Sequence, residues 1–382
     1  MNENIFINAI NAKSGGGKSI LTNFIKVLSL SNKISDKTFF FLVPNYKKYE
    51  KFVSKQIHIV SLPQWQQKTF LYPLINTLVL PRLVKKLKCE LIFNLSDVPM
   101  PIIKKQILLF DWPYAAFLDS TVWKRMTIKD YLIRRSKLFL FKKNLRYLDL
   151  LIAQTNTIKK LLSKNYNIKR IKIVPNAVSI DNLESSKLFS INLPYGFKLL
   201  CLTKYYTHKN IEIFIPLAKE ILNRKLNIKI ITTLSSDEHP KAKLFLKRIK
   251  NELLESVIIN LGPIDMKNVP SIYKQTDGLL LPTLLESFSG TYAEALFHQK
   301  PIFTSNLDFA VDVCKSAAYY FDPLNHINIL ETIISSINNP KEMVEKINIG
   351  KDLLNEMPSW EQNCNQLINI INSELKKKNE NE

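Results

Sequence analysis

"LPTLLESFSGTYAEALFHQKPIFTSN", residues 281–306, reads as a buried strand, a turn of small polar residues, a helix and a second buried strand. Strand, helix, strand in that order is the repeating unit of a parallel α/β sheet, whose strands are covered on both faces and so read as unbroken apolar runs. Two carboxylates, Glu286 and Glu294, stand eight positions apart in this stretch. On one continuous helix, eight residues turn through about 800°, roughly 80° out of register. With Glu286 in the turn and Glu294 early in the helix, both can approach one ligand, and the free amides at the helix start form an anion site. Carboxylates for hydroxyls beside amides for phosphate suit a nucleotide sugar. A helix-initiating turn followed by a surface glutamate is the plainer reading of the same spacing.

The pattern extends in both directions. "FKLLCLTK" (197–204), "NIKIITTLS" (227–235), "SVIINLGP" (256–263), "GLLLPTL" (278–284) and "KPIFTSN" (300–306) are strand-like, with helical segments such as "NIEIFIPLAKEILNR" (210–224) between them. The first half is built alike, from "NIFINAI" (4–10) through "TFFFLVP", "QIHIVSLP", "ELIFNLS", "QILLFDWP" and "LDLLIAQT" to "IKIVPNAV" (171–178). The fold class is therefore α/β, with two similarly organised halves meeting near residue 190. Ligands of such sheets lie at the carboxyl ends of the strands, which draws attention to the loops "LTK", "LPTLLES" and "NAKSGGG".

At 382 residues, with 46% hydrophobic and 23% charged residues, the chain is long enough for two proper cores and is not a disordered protein. Cys89, Cys201, Cys314 and Cys364 are isolated, and the five histidines show no ligand spacing, so buried thiols are expected and neither a disulfide framework nor a metal. "MNENIFINAI" lacks the basic and apolar regions of a signal peptide, and "FLYPLINTLVLP" (70–81) is too short for a bilayer. A cytoplasmic chain is the expectation.

The net charge of +21 is unevenly spread: residues 1–190 hold 32 lysines and arginines against 11 acidic residues, while 191–382 hold 22 against 22. "KRMTIKDYLIRRSKLFLFKKNLR" (124–146) has nine basic residues and one acidic, Asp130. Three readings compete. The charges form a solvated face, or the electrostatic footprint of a nucleic-acid site, or a surface that docks on anionic lipid, where each basic residue contributes on the order of 1 kcal/mol. Trp123, Tyr131, Phe139 and Phe141 interleave with the charges as in interfacial helices, and as core residues also would. Docking on an anionic membrane is the reading adopted, and no nucleic acid is expected as the partner.

"NAKSGGGKSIL" (11–21) poses a separate question. Gly17, Lys18 and Ser19 match the end of the phosphate-binding G-x-x-x-x-G-K-[ST] loop, but its leading glycine falls on Ala12. The variant K-G-G-x-x-K-[ST] nearly fits as well, with Ser14 in place of glycine. An ATPase built on residues 12–19 is thus one alternative, with Asp111 after the apolar "ILLF" as its acidic partner.

The second half resembles glycosyltransferase family 4, a retaining family of GT-B fold. The resemblance is carried in order by "KIVPNAV" (172–178), "CLTKYYTHKNIEIFIPLAKEI" (201–221), "INLGPIDMKNVPSIYKQTDGLLLPTLLESF" (259–288), "EALFHQKPIFTSN" (294–306) with "YYFDP" (319–323), and the closing "SWEQNCNQLINII" (359–371). It implies two Rossmann-like domains facing each other across a cleft: 1–190 for the acceptor, 191–358 for the nucleotide sugar, and 359–382 as a last helix returning toward the first domain, with a charged tail. It also implies that Lys204, in the place of the family's usual arginine, and Lys209 bind the donor diphosphate. Glu286 lies by the transferred sugar, Glu294 binds the ribose hydroxyls, and Ser287, Phe288, Ser289, Gly290 and Thr291 supply amides and hydroxyls. Ser287 and Ser289 replace the family's glycines. Gly15, Gly16 and Gly17 match its glycine-rich turn, which faces the donor phosphates, and on this reading Lys18 and Ser19 only mimic an ATPase loop. Asp111 stands near the family's histidine, as a contact to acceptor or sugar, or as a capping or turn aspartate.

The implied activity is retaining transfer of a hexose from a UDP- or GDP-linked donor, without cofactor or metal, to a glycan acceptor. The basic first half suits a lipid-linked acceptor, as in O-antigen, capsule or glycolipid assembly, handled by an enzyme peripheral to the inner face of the cytoplasmic membrane. A non-catalytic sugar- or nucleic-acid-binding protein on the same scaffold is the remaining alternative.

Overall fold

The computed structural model of the chain describes residues 3–13, 15–31, 34, 36–177 and 191–377. Within it are two compact units, one of Met1–Leu118, Met126–Ala177 and Pro358–Glu382, the other of Asp119–Arg125 and Val178–Met357. The expected junction at residue 190, together with Val178, Ser14 and the end of the charged tail, lies outside the described residues.

The first unit is built on a parallel seven-stranded sheet of β1 (Glu3–Asn8), β2 (Lys37–Leu42), β3 (Ile57–Val60), β4 (Leu91–Asn94), β5 (Lys105–Leu109), β6 (Leu150–Ala153) and β7 (Ile171–Ile173), in the order β3-β2-β1-β4-β5-β6-β7. Each strand pairs in parallel register, as Ile5 with Phe39 and Leu91. The apolar runs explain this: β4 is buried at every position, as a strand covered on both faces must be. The helix Gly15–Ser29 presents Ile20, Leu21, Phe24, Ile25 and Leu28 to the sheet, the spacing of one helical face. Against the same core lies the last helix, Trp360–Lys376, through Cys364, Leu367, Ile368 and Ile371. Its Ser359–Gln362 capping box satisfies the first amides, and its buried Glu374 accepts both oxygens' worth of hydrogen bonds from Arg170 at 2.7 and 2.8 Å.

The second unit carries a parallel six-stranded sheet of β8 (Phe197–Cys201), β9 (Ile228–Thr232), β10 (Ile258–Asn260), β11 (Gly278–Leu281), β12 (Ile302–Ser305) and β13 (Ala318–Phe321), ordered β10-β9-β8-β11-β12-β13. The edge strand β13 is one that the apolar-run reading does not separate, because "AAYYFDP" is short and leads straight on from a helix. Gly278 opens β11 where two neighbours press close: a Cβ there would lie 3.1 Å from Leu199 and 3.2 Å from Phe303. Asp119–Arg125 also belongs to this unit. Arg125 donates to the Asn210 carboxamide, and its carbonyl accepts from Lys241 Nζ at 2.5 Å.

Counted within each unit, both sheets have the order 3-2-1-4-5-6, with one more strand in the first. In such a sheet the order reverses beside strand 1, and loops leaving the carboxyl ends there diverge to leave a crevice. That point falls between β1 and β4 in one unit and between β8 and β11 in the other.

Candidate functional site

In the second unit, the loops after β8 and β11 meet at this crevice. The turn Thr207–Lys209 ends on Asn210, held in the left-handed region at φ 55° with its side chain donating to Pro323 O at 2.7 Å. His208 O accepts from Leu284 N at 2.7 Å and from Thr283 Oγ1 at 3.1 Å. Thr283 is fully buried and its carbonyl is fixed by Ser305 Oγ at 2.6 Å. These bonds hold Lys209 against Glu286 as an ion pair whose two side chains are largely buried, with Thr283 Oγ1 also donating to Glu286 Oε1 at 3.3 Å. Lys204 differs from Lys209. It sits exposed in the loop after β8, with its carbonyl accepting from Thr203 Oγ1 at 2.8 Å.

After Glu286 the chain runs through Ser287, Phe288 and Ser289 into the helix Gly290–Phe297. Ser289 occupies the N-cap position at φ −108° without a side-chain capping bond, its hydroxyl engaged with Thr291 Oγ1 at 2.9 Å. The first turn carries no acidic residue and no side-chain cap; Tyr292 N donates to Ser289 O at 3.2 Å, and the positive end of the helix with the Gly290 and Thr291 amides suits an anion. A Cβ on Gly290 would meet nothing within 4 Å, so this turn opens onto free space. Neither Ser287 nor Ser289 has a positive φ. The glycines expected there are therefore not required by the backbone, which is why serine is accommodated.

Glu294, one turn on, is held by a residue that spacing does not single out. Tyr273, fully buried, donates its hydroxyl to Glu294 Oε2 and Thr291 O, both at 3.3 Å, and its ring stacks on His298 with centroids 4.9 Å apart. Burial dominates over the Tyr273 hydrogen bond and raises the Glu294 carboxyl to about 7. Burial likewise pulls the His298 imidazole down to about 4, keeping it neutral. Glu286 and Glu294 thus border the same turn with different partners, one facing a cation and one a phenol.

In the first unit, Gly15 takes φ +60° at the head of its helix, a left-handed conformation that favours glycine. Gly16 adjoins Asp111, since a Cβ there would lie 3.5 Å from Asp111 Oδ2. Asp111 accepts from Gln154 Nε2 at 3.1 Å. So the glycine turn after β1 and the aspartate after β5 are brought together across the sheet's carboxyl edge. Two neighbours lack any local signal: Asp97, paired with Lys137, and Trp112, whose ring lies 4.3 Å beneath the Lys137 ammonium. The aromatic residues of the basic stretch divide. Phe141 is buried among Phe110, Trp112 and Tyr166, whereas Phe139 is 65% exposed. Among the described residues, no cluster of three or more His, Cys, Asp or Glu side chains is arranged to hold a metal ion, and no helix is long and apolar enough to cross a membrane.

Two parallel sheets of Rossmann order with their flanking helices define the GT-B fold. Solved structures agree. The chain is similar to a glycosyltransferase from Rickettsia africae ESF-5 (14% identity, TM-score 0.68, covering 99% of this chain and 100% of that one). It is also similar to sucrose-phosphate synthase from Thermosynechococcus elongatus (12%, 0.71, 97% and 98%). A third similar structure is Anabaena Alr3699/HepE in complex with UDP and glucose (13%, 0.66, 98% and 100%). Residues 192–352 match the family model of glycosyl transferases group 1, which spans the β8–β13 sheet and the whole of the site built on it. No curated protein sequence matches the chain.

Proposed function

We propose that the protein is a retaining hexosyltransferase that uses a nucleotide sugar as donor and a glycan, lipid-linked in surface-polysaccharide or glycolipid assembly, as acceptor. The observation that carries the reading is the convergence, at the crevice of the second unit, of the Lys209–Glu286 pair, an uncapped helix start and the Tyr273-held Glu294. In the transfer, the bond from the anomeric carbon to the diphosphate oxygen breaks as the acceptor hydroxyl oxygen bonds that carbon from the same face, and the hydroxyl's proton passes to the departing diphosphate oxygen. Negative charge then accumulates on the departing diphosphate. Lys204, Lys209 and the amides at Gly290 and Thr291 are the groups suited to meet it, and donors fixed before the reaction need no reorganisation as charge develops. Glu286, anchored by Lys209 and Thr283, borders the sugar, and Glu294 accepts from the ribose hydroxyls. The match over residues 192–352 and a structural relative that holds UDP and glucose support a nucleotide-sugar donor. Gly15, Gly16, Gly17 and Asp111 form a separate candidate site within the first unit, at the carboxyl edge of its own sheet.

Thermal stabilisation by UDP, GDP, ADP, ATP and their sugar conjugates, with and without magnesium, tests this without a known acceptor, because a ligand of the native state raises its melting temperature. The expected result is a magnesium-independent shift with UDP or GDP that is lost in Glu294→Ala. A shift confined to ATP with magnesium and lost in Lys18→Ala would overturn the proposal in favour of the ATPase.

A further inference from the structure

The first unit contains a cleft of about 920 Å³ whose lining includes none of the residues assigned above to the donor. Six cations line it: Lys13 and Lys18 from the glycine turn, Lys48, Lys68, and Lys129 and Arg134 from the helix Ile128–Asn144. One carboxylate, Asp130, shares the lining, its Oδ2 accepting from Thr127 Oγ1 at 2.6 Å, so six cations face a single acidic residue. Among the described residues, the ion pair nearest in sequence on this helix, Lys137 with Asp97, includes none of the six. Arg134 is set for recognition. Its guanidinium rests on the Tyr114 ring at 4.1 Å, and its buried Nε has no hydrogen-bond partner. Six cations contributed by four separate segments repel one another unless an anion joins them, and low-dielectric walls focus their field into the cleft. A planar guanidinium beside several ammonium groups is the donor set for phosphate oxygens.

The rim adds a second chemistry. Phe70 lines the cleft and is 68% exposed, and Leu74 and Leu78 follow it at four-residue spacing, 51% and 45% exposed. An apolar strip thus leads away from a cationic hollow. We propose that this cleft binds the phosphate or diphosphate group of the acceptor, and that the strip from Phe70 to Leu78 receives a hydrocarbon chain attached to it. The word "acceptor" rests on the glycosyl-transfer reading; the anion site does not.

The test is isothermal titration of the full-length protein with inorganic pyrophosphate and with farnesyl diphosphate. Saturating UDP or GDP is present throughout to occupy the donor site. Wild-type protein is expected to bind both probes, and the triple variant Lys48→Gln, Lys68→Gln, Lys129→Gln to bind them at least tenfold more weakly while keeping its nucleotide affinity. Retained nucleotide binding also shows that the variant is folded. If farnesyl diphosphate binds at least tenfold more tightly than pyrophosphate, and Phe70→Ser with Leu74→Ser abolishes that gain, the phosphate belongs to a lipid. Equal affinities keep the anion site and make the acceptor a soluble phosphorylated sugar, which overturns the apolar strip. Binding of both probes unchanged in the triple variant, or of neither probe to wild type, overturns the site itself. Failure of nucleotide to bind while the probes still do would instead sink the donor reading.

Discussion

Glu294 makes the donor reading testable through pH alone. Its carboxyl is raised to about 7 by burial, so the empty site is mostly protonated at pH 6 and mostly ionised at pH 8. Ribose hydroxyls that donate to Glu294 prefer the ionised form. If that form alone binds, the apparent Kd rises about tenfold from pH 8 to pH 6, one power of ten per pH unit below the pKa. The terminal phosphate of UDP or GDP titrates in the same region, near 6, so the decisive quantity is the difference between wild type and Glu294→Gln. The assay is calorimetric titration of nucleotide from pH 5.5 to 8.5. The wild-type profile should steepen through pH 7 relative to the variant, and wild type should take up fewer protons, or release more, on binding. The sign for stability is opposite. A carboxyl raised from 4.5 to about 7 favours the folded state fully below pH 4.5 and loses that contribution as pH rises through 7. Without ligand, then, Glu294→Gln should match wild type near pH 4.5 and exceed it at pH 8 by about 3 kcal/mol at most. Parallel binding profiles in wild type and variant would refute the assignment of Glu294 to the ribose.

The two lysines and the first unit's surface give further tests. Lys209→Met strands the buried Glu286 carboxylate, at a cost of about 3 kcal/mol, and should lower the melting temperature by roughly 6–12 °C. Lys204→Met, at an exposed position, should change stability by no more than about 0.5 kcal/mol. Both should lower turnover in a transfer assay; equal melting of the two variants would show that the Lys209–Glu286 pair is not a structural anchor. Ile128, Leu132 and Phe139 are 82%, 60% and 65% exposed on the basic helix, the pattern of a face that inserts among lipid headgroups. Cosedimentation with phosphatidylglycerol vesicles should occur at low salt and weaken at least fivefold in Leu132→Ser with Phe139→Ser, whereas vesicles of phosphatidylcholine alone should not retain the protein.

What local sequence determined here is what depends on neighbours along the chain. Unbroken apolar runs such as "LIFN" and "GLLL" declare strands covered on both faces, because no solvent-facing alternation interrupts them. The small-residue turn between Glu286 and Glu294 declares a helix start, because serine and glycine favour helix caps over helix interiors. The glycine run declares a turn at the end of β1, and Gly15 is in the left-handed region there. Pairings made across the sheet have no such local trace. Lys209 meets Glu286 from 77 positions away, Tyr273 reaches Glu294 from 21, and Asp111 adjoins Gly16 only because the sheet order sets β1 and β5 on either side of β4. The division of one amphiphilic stretch into a buried Phe141 and an exposed Phe139 is equally tertiary, since burial is decided by what packs opposite. The cationic cleft depends most on tertiary structure: "KRMTIKDYLIRRSK" shows excess charge, but Lys13, Lys48 and Lys68 join Lys129 and Arg134 only once the chain is folded. Backbone conformation answers to adjacent residues, whereas charge complementarity and burial are sums over the whole three-dimensional neighbourhood, and only the folded chain evaluates them.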